Sequence, residues 1–277
     1  MKFTKWHGLG NDFIILDEID AKIDAAPLAA KLCDRHFGVG ADGLCLLETS
    51  DKADIRMRLF NSDGSEAEMC GNLMRCLPKH LYETGICRKK NMLVETLAGI
   101  IKPQLIFSGA EIAAVTVDMG TPKTRRGEIP MSGRPDAEAA GVEITVGGRK
   151  FTGRGISMGN PHFVTFVDDI DSIDVFLYGP LLETDSLFPA KTNVHFAAAA
   201  AKNKVRMRVW ERGAGVTLSC GTGACAVAAA GMLDGLLADK VEVAVDGGSL
   251  FIEWPGKTGS IFMTGAAEKV FAGEAYL

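Results

Sequence analysis

Two stretches of the chain, 150 positions apart, carry the same alternation of apolar and polar residues. Ile55-Arg56-Met57-Arg58-Leu59-Phe60 and Val205-Arg206-Met207-Arg208-Val209-Trp210 place apolar side chains at every second position. That is the period of a strand with one buried face. Fifteen residues after each start come Cys70-Gly71-Asn72 and Cys220-Gly221-Thr222. A third pair, Gly10-Asn11-Asp12-Phe13 and Gly159-Asn160-Pro161-His162-Phe163, lies at an offset of 149 to 150. The chain therefore reads as two related halves, each with one cysteine at the same place.

After each cysteine the period changes. Leu73, Leu77 and Leu81 follow at i, i+4 and i+8, which predicts an amphipathic helix that Gly85 stops. Pro78 lies inside it and is expected to kink or shorten it. In the second half the helix begins near Thr222 and is apolar all round, with Ala224, Ala226, Ala228, Ala229 and Ala230. Such a helix belongs in a core. The apolar run over 224–237 is interrupted by Asp234 and falls short of the roughly 20 residues of a membrane span. Residues 13–16, 163–167, 241–244, 250–253 and 261–264 read as further strands, and 28–37 as a helix ended by Gly38 and Gly40. Asn61-Ser62-Asp63-Gly64 is a turn, and 211–215 is a turn or loop. The alanine tract 197–201 is too short to count as low complexity, and the junction between the halves is expected near Gly120-Thr121-Pro122.

Composition narrows the class. The chain has 277 residues, 47% hydrophobic and 23% charged, with net charge −5. That is ordinary for a globular protein and offers no basic footprint for nucleic acid. The first residues have no apolar core of signal-peptide length, and the seven cysteines are odd in number. Reduced thiols in a cytoplasmic protein are expected, with no membrane partner.

Each Cys-Gly box sits at the start of a helix. There the backbone N–H groups of the first turn and the partial positive charge favour an anion. A thiol in that position is expected to move from about 8.5 toward neutrality. Gly71, Asn72, Gly221 and Thr222 would offer their N–H groups to a carboxylate. Two thiols in matched positions suit removal and return of a proton on opposite faces of one carbon. Packing alone explains most single cysteines, but two with matched flanks point to chemistry. The spacings Cys70/Cys76 and Cys220/Cys225 do not fit a zinc pattern. His162, in the repeated Gly-Asn box, and Glu211, aligned with Asn61 after the paired strand, are the candidate partners that tune the thiols. Arg212 could clamp a second carboxylate bidentately or form a surface ion pair. Gly8-Leu9-Gly10 lacks the preceding strand and third glycine of a dinucleotide fingerprint.

These boxes resemble diaminopimelate epimerases over nearly the whole chain. The matching stretches are His7-Gly8-Leu9-Gly10-Asn11-Asp12-Phe13, Phe37-Gly38-Val39-Gly40-Ala41-Asp42-Gly43 and Phe60-Asn61-Ser62-Asp63-Gly64-Ser65-Glu66. Met69-Cys70-Gly71-Asn72, the Gly159–Phe163 box, Thr192-Asn193-Val194, Trp210-Glu211-Arg212-Gly213 and Ser219-Cys220-Gly221-Thr222-Gly223 complete the set. The resemblance implies an α+β fold of two pseudo-symmetric domains, each an antiparallel-rich sheet rolled around a central helix. The expected division gives residues 1–118 with 264–277 to the half carrying Cys70, and 119–263 to the half carrying Cys220. It further implies a cofactor-independent, metal-free, two-base epimerase of LL- and meso-diaminopimelate, usually homodimeric. By the same resemblance Cys70 pairs with His162 and Cys220 with Glu211. The reacting carboxylate would lie on Gly71, Asn72, Gly221 and Thr222, with Asn11 holding that end. Asn61, Asn160, Asn193, Glu211 and Arg212 would read the distant centre. Five positions depart from the family pattern: Leu73 for glycine, Val216 for glutamate, Gly43 for a glutamine, His195 for an acidic residue, and Pro78 in the central helix. Three alternatives stand beside this reading: a racemase of another amino acid, a relative of the phenazine-pathway isomerases, and an amino-acid binder without turnover.

Overall fold

Alternation and turn chemistry together dictate a strand-rich chain, and the computed structural model, which describes residues 1–276, divides into two units. Unit 1 is residues 1–118 with 264–276, and unit 2 is residues 119–263. In chain order the first elements are β1 (Lys2–Gly8), β2 (Asn11–Ile19), α1 (Ala25–Cys33), β3 (Gly43–Glu48), β4 (Ile55–Asn61) and β5 (Glu66–Ala67). Then come α2 (Leu73–Thr84), β6 (Val94–Thr96), β7 (Gly99–Ile101), β8 (Gln104–Ser108) and β9 (Glu111–Asp118). The next elements are β10 (Val142–Val146), β11 (Arg149–Ser157), β12 (Pro161–Phe166), α3 (Val175–Glu183), β13 (Asn193–Ala201), β14 (Lys204–Glu211) and β15 (Gly215–Val216). The chain ends with α4 (Gly221–Leu233), β16 (Lys240–Val245), β17 (Gly248–Glu253), β18 (Phe262–Gly265) and β19 (Glu268–Glu274).

The duplication extends to strand order. Unit 1 runs β19-β1-β2-β3-β4-β6-β7 and unit 2 runs β10-β11-β12-β13-β14-β16-β17. Both sequences of pairings are antiparallel, antiparallel, parallel, antiparallel, parallel, antiparallel. Register repeats as well: Leu44 faces Phe60 across β3/β4, and Val194 faces Trp210 across β13/β14. Each β4- or β14-type strand turns back through a two-residue strand, then enters the helix that carries the cysteine box.

The helices α2 and α4 are the cores of their units. Leu73, Leu77 and Leu81 are all fully buried, and Gly85 closes α2 in the left-handed region at φ 81°. Pro78 does not shorten α2, which runs on to Thr84. It removes one N–H, but the turn before it is fully buried and His80 and Leu81 after it are buried too, and this packing outweighs a loss of about 3 kcal/mol. In α4 every residue from Gly223 to Met232 is buried, and the helix packs on β11 to β14, β16 and β17. The sheet rolled around a central helix is thus present in unit 2, and α2 likewise packs on β1, β8, β9 and β19. On the outer face α1 covers β3 and β4, while α3 covers β10, β13 and β14.

One sequence expectation shifts. Helix α1 ends at Cys33 instead of continuing to Phe37, because the Asp34 carboxylate accepts the N–H groups of His36 and Phe37 at 2.7 Å each and folds the chain into a turn. The alanine tract is the outer end of β13, paired to β14. Among the described residues no helix is long and apolar enough to cross a membrane.

Candidate active site

In unit 1 the site begins with a strained turn. Leu9 and Gly10 join β1 to β2 with φ of 59° and 86°, a two-residue hairpin turn with both centres left-handed. Glycine takes that conformation freely, and leucine does so at a cost. This turn, not a nucleotide loop, sets Asn11 at the head of β2. The Asn11 amide Nδ2 donates to Asp42 Oδ2 at 2.6 Å. Its carbonyl Oδ1 accepts from Asn72 Nδ2 at 2.9 Å and lies 3.7 Å from the Cys70 sulfur. Asp42 also accepts from the Asp12 N–H at 3.0 Å and from Arg35 Nη2 at 2.8 Å. Arg35 grips Asp12 with two N–H groups, and Lys5 pairs with it at 2.9 Å. Burial would raise the Asp12 carboxyl, but Arg35 and Lys5 outweigh it and hold the group at about 2. Cys70 itself is half-buried, and its carbonyl accepts the Met74 N–H at 2.9 Å as α2 begins. Gly71 and Asn72 form the approach to α2 and are both buried. Asn61, at the end of β4, is exposed and donates its amide to Ser65 Oγ within the following turn.

Unit 2 builds its counterpart from different groups. Cys220 is the cap of α4, and its carbonyl accepts the Ala224 N–H at 2.9 Å, the same role that Cys70 plays. Its sulfur lies 3.6 Å from Thr222 Oγ1 and is hydrogen-bonded to Glu211, the last residue of β14. Glu211 is oriented in turn by the Thr217 hydroxyl, which donates to Oε1 at 2.5 Å. The expectation that a helix start lowers the thiol does not hold at Cys220. Burial and the Glu211 charge push it well above its usual value, outweighing Thr222 and the Gly223 N–H. Cys220 is therefore a neutral thiol that donates to a carboxylate.

A chain of polar groups runs on from Thr222. Asn160 Nδ2 reaches Thr222 Oγ1 at 3.5 Å, and Asn160 Oδ1 meets His162 Nε2 at 2.9 Å. His162 Nδ1 meets His195 Nε2 at 2.8 Å. With a carbonyl at Nε2, His162 carries its proton there and accepts at Nδ1 from His195. The His195 Nδ1 is then a buried lone pair with no partner among the described residues. Both imidazoles are neutral: burial, His195 and Arg212 keep His162 well below its usual value, and burial takes His195 down to about 3. The His195 ring fits because residue 223 is glycine; a Cβ there would sit 2.3 Å from His195 Cε1.

Asn193 and Arg212 are tied to the backbone. Asn193 is buried, donates to the Pro161 carbonyl at 2.8 Å and accepts the Arg212 N–H at 2.9 Å. Arg212 is exposed, with one guanidinium N–H on the Ala190 carbonyl at 3.0 Å. Unit 1 thus gathers Asn11, Cys70, Gly71 and Asn72, and unit 2 gathers Asn160, His162, Cys220, Gly221, Thr222 and Glu211. Sequence reasoning passed over Arg35, Asp42 and Thr217. Asp42 lies in a glycine-rich stretch already quoted, but nothing in its spacing shows that it faces Asn11.

A family model described as diaminopimelate epimerase matches residues 3–125 and 155–270. The diaminopimelate epimerase of Pelotomaculum thermopropionicum is 51% identical over 278 positions, covering 99% of this chain and 98% of that protein. Among solved structures, a Bacillus anthracis phenazine biosynthesis protein of the PhzF family aligns at TM-score 0.70 with 18% identity, over 100% of this chain and 99% of that one. A probable proline racemase from Agrobacterium radiobacter aligns at TM-score 0.69 with 15% identity, over 100% and 93%. At such identities these two structures establish the fold alone: mixed sheets with few helices.

Proposed function

The chain belongs to the diaminopimelate epimerase family, and on that premise we propose that it interconverts LL- and meso-diaminopimelate with one thiol from each unit and no cofactor. One cysteine, as thiolate, takes the α-proton and becomes a thiol. The electron pair left on the α-carbon delocalises into its carboxylate. The other cysteine gives its proton to the opposite face and becomes the thiolate. The matched place of Cys70 and Cys220 at the start of α2 and α4 carries this reading.

The physical needs of the reaction fall on the residues already named. Charge that builds on the carboxylate is stabilised by preorganised N–H donors and the positive end of a helix. Gly71, Asn72, Gly221 and Thr222 are our candidates for those donors, with Asn11 at the same end. Glu211 takes the Cys220 proton, which makes the sulfur basic when its turn as base comes. His162 is assigned to Cys70 by family resemblance; to receive a proton at Nδ1 its neutral imidazole must give up the hydrogen bond from His195. Asn61, Asn160, Asn193, Glu211 and Arg212 are proposed to read the distant amino-acid centre. The exposed cation of Arg212 offers the charge that a second carboxylate needs.

We further propose a homodimer in the cytoplasm. Strand β19 lies at the end of the unit 1 sheet and exposes Val270 and Phe271, which suits pairing with a second copy. No disulfide joins the seven cysteines among the described residues, which suits a reducing compartment. The test of the function is incubation with LL-diaminopimelate in deuterium oxide under reducing conditions. Deuterium at the α-carbon of a meso product supports the reading. Exchange with a different amino acid only, or with none, overturns it.

A further inference from the structure

Asn11 meets a carboxylate on one side and a thiol on the other, and the order of those contacts is not free. An ionised carboxylate only accepts hydrogen bonds. Asp42 Oδ2, 2.6 Å away, therefore requires the NH₂ end of the Asn11 amide. The carbonyl end is left facing Asn72 Nδ2 at 2.9 Å and the Cys70 sulfur at 3.7 Å. Asp42 is itself fixed. Its Oδ1 is held by Arg35 at 2.8 Å and its Oδ2 by the Asp12 N–H, while its own N–H returns to Asp12. The turn at Leu9 and Gly10 delivers Asn11 into this clamp.

We propose that Asp42 is a positioning residue for Cys70: its carboxylate turns the Asn11 amide so that a carbonyl, not an N–H, faces the sulfur. An acceptor in that place favours the S–H form, which is the form that returns a proton to the substrate. With the carboxylate gone, the hold on the Nδ2 end is lost and the amide can turn by giving up the Asn72 contact; an N–H facing sulfur then favours the thiolate instead. The other charged and titratable groups of unit 1 at this clamp include Lys5, Asp12 and Arg35 around Asp42, the Cys33 thiol that also faces Asp12 and Asp42, His7 at the Leu9–Gly10 turn, and Cys76 beside Cys70; Cys76 in turn feels Arg75. The inference rests on Cys70 being one of the two working thiols, but its test does not use turnover.

The experiment alkylates the full-length protein with iodoacetamide across a pH series and follows the peptide carrying Cys70 by mass spectrometry. Asp42→Ala is expected to move the pH midpoint of Cys70 alkylation down by about one unit, or about tenfold more thiolate at neutral pH. The plateau rate at high pH and the Cys220 midpoint should stay as they are in the unaltered protein. Simple loosening of the loop would raise the plateau and leave the midpoint alone. In an Asn11→Ala background the added Asp42→Ala change should do nothing, because the group it turns is absent. Asp42→Ser serves if Asp42→Ala does not fold. An unmoved midpoint in the folded variant overturns the proposal, and so does a shift that persists without Asn11.

Discussion

The two cysteine boxes occupy the same place in two copies of one topology, yet their surroundings differ in kind. Cys70 is half-buried beside a neutral amide, behind which stand Asp42, Asp12, Arg35 and Lys5. Cys220 is buried beside the carboxylate of Glu211, and the polar chain behind it is two neutral imidazoles. The first helical turns differ as well: Leu73 opens α2 fully buried, whereas Gly223 leaves room for an imidazole in α4. Strand order and helix placement therefore fix where each sulfur sits. The residues reaching in from neighbouring strands decide what the sulfur does with a proton. A thiol facing a carboxylate has a base for its proton. One facing an amide carbonyl meets an acceptor there, not a base.

Replacing the carboxylate should blur the contrast most. Glu211→Gln keeps a hydrogen-bond acceptor near Cys220 but removes the base, so kcat/KM for epimerisation is expected to fall about 10²-fold or more. The same change takes away a negative charge that raises the Cys220 thiol, so its alkylation midpoint should move down while turnover falls. A lowered rate with an unmoved midpoint would mean that Glu211 acts only through the substrate.

Exchanging the opening residues of the helices should sharpen it. Leu73→Ala removes a fully buried side chain and should cost about 3 kcal/mol in urea unfolding. Gly223→Ala adds a Cβ within 2.3 Å of His195 Cε1, and the resulting overpacking should cost about 2 kcal/mol. If each position accepts the other's class of residue without loss, the two helix starts are not specialised.

Acid provides a third contrast, since α2 buries a histidine while α4 has none. His80 is fully buried against the Trp6 ring and is held down at about 4, with burial outweighing Asp17. The unfolded chain takes up this proton from about pH 6.5, and the folded chain only near pH 4. Stability should be fully present above pH 6.5 and decline below it, by about 3 kcal/mol once the pH reaches 4. His80→Leu should flatten that decline in urea titrations at successive pH values; an unchanged slope would show that His80 is protonated in the folded protein.

Much of this layout is legible in the chain, and the exceptions have physical causes. The strands β4 and β14, the helices α2 and α4 and both cysteines follow from period and spacing, because burial imposes those patterns. The Asp42 clamp does not, because Asp12, Arg35 and Asp42 are loop or strand-end residues joined across 23 and 30 positions with no period to announce them. Pro78 does not cut α2 short, because local propensity yields to a buried helix face. The high thiol at Cys220 was missed because the helix start is visible in sequence, whereas burial and the approach of Glu211 depend on the fold. Asn193 carries a similar lesson: its side chain bridges the Pro161 carbonyl and the Arg212 N–H, a strand-to-strand tie that a loop asparagine does not suggest.

The central claim is that two unlike thiols, one from each unit, share one reaction. The most direct measurement is epimerisation of LL-diaminopimelate by the Cys70→Ala and Cys220→Ala proteins, with α-deuterium incorporation followed in parallel. Loss of inversion in both variants is the predicted result. Full activity in either one would contradict the two-thiol account.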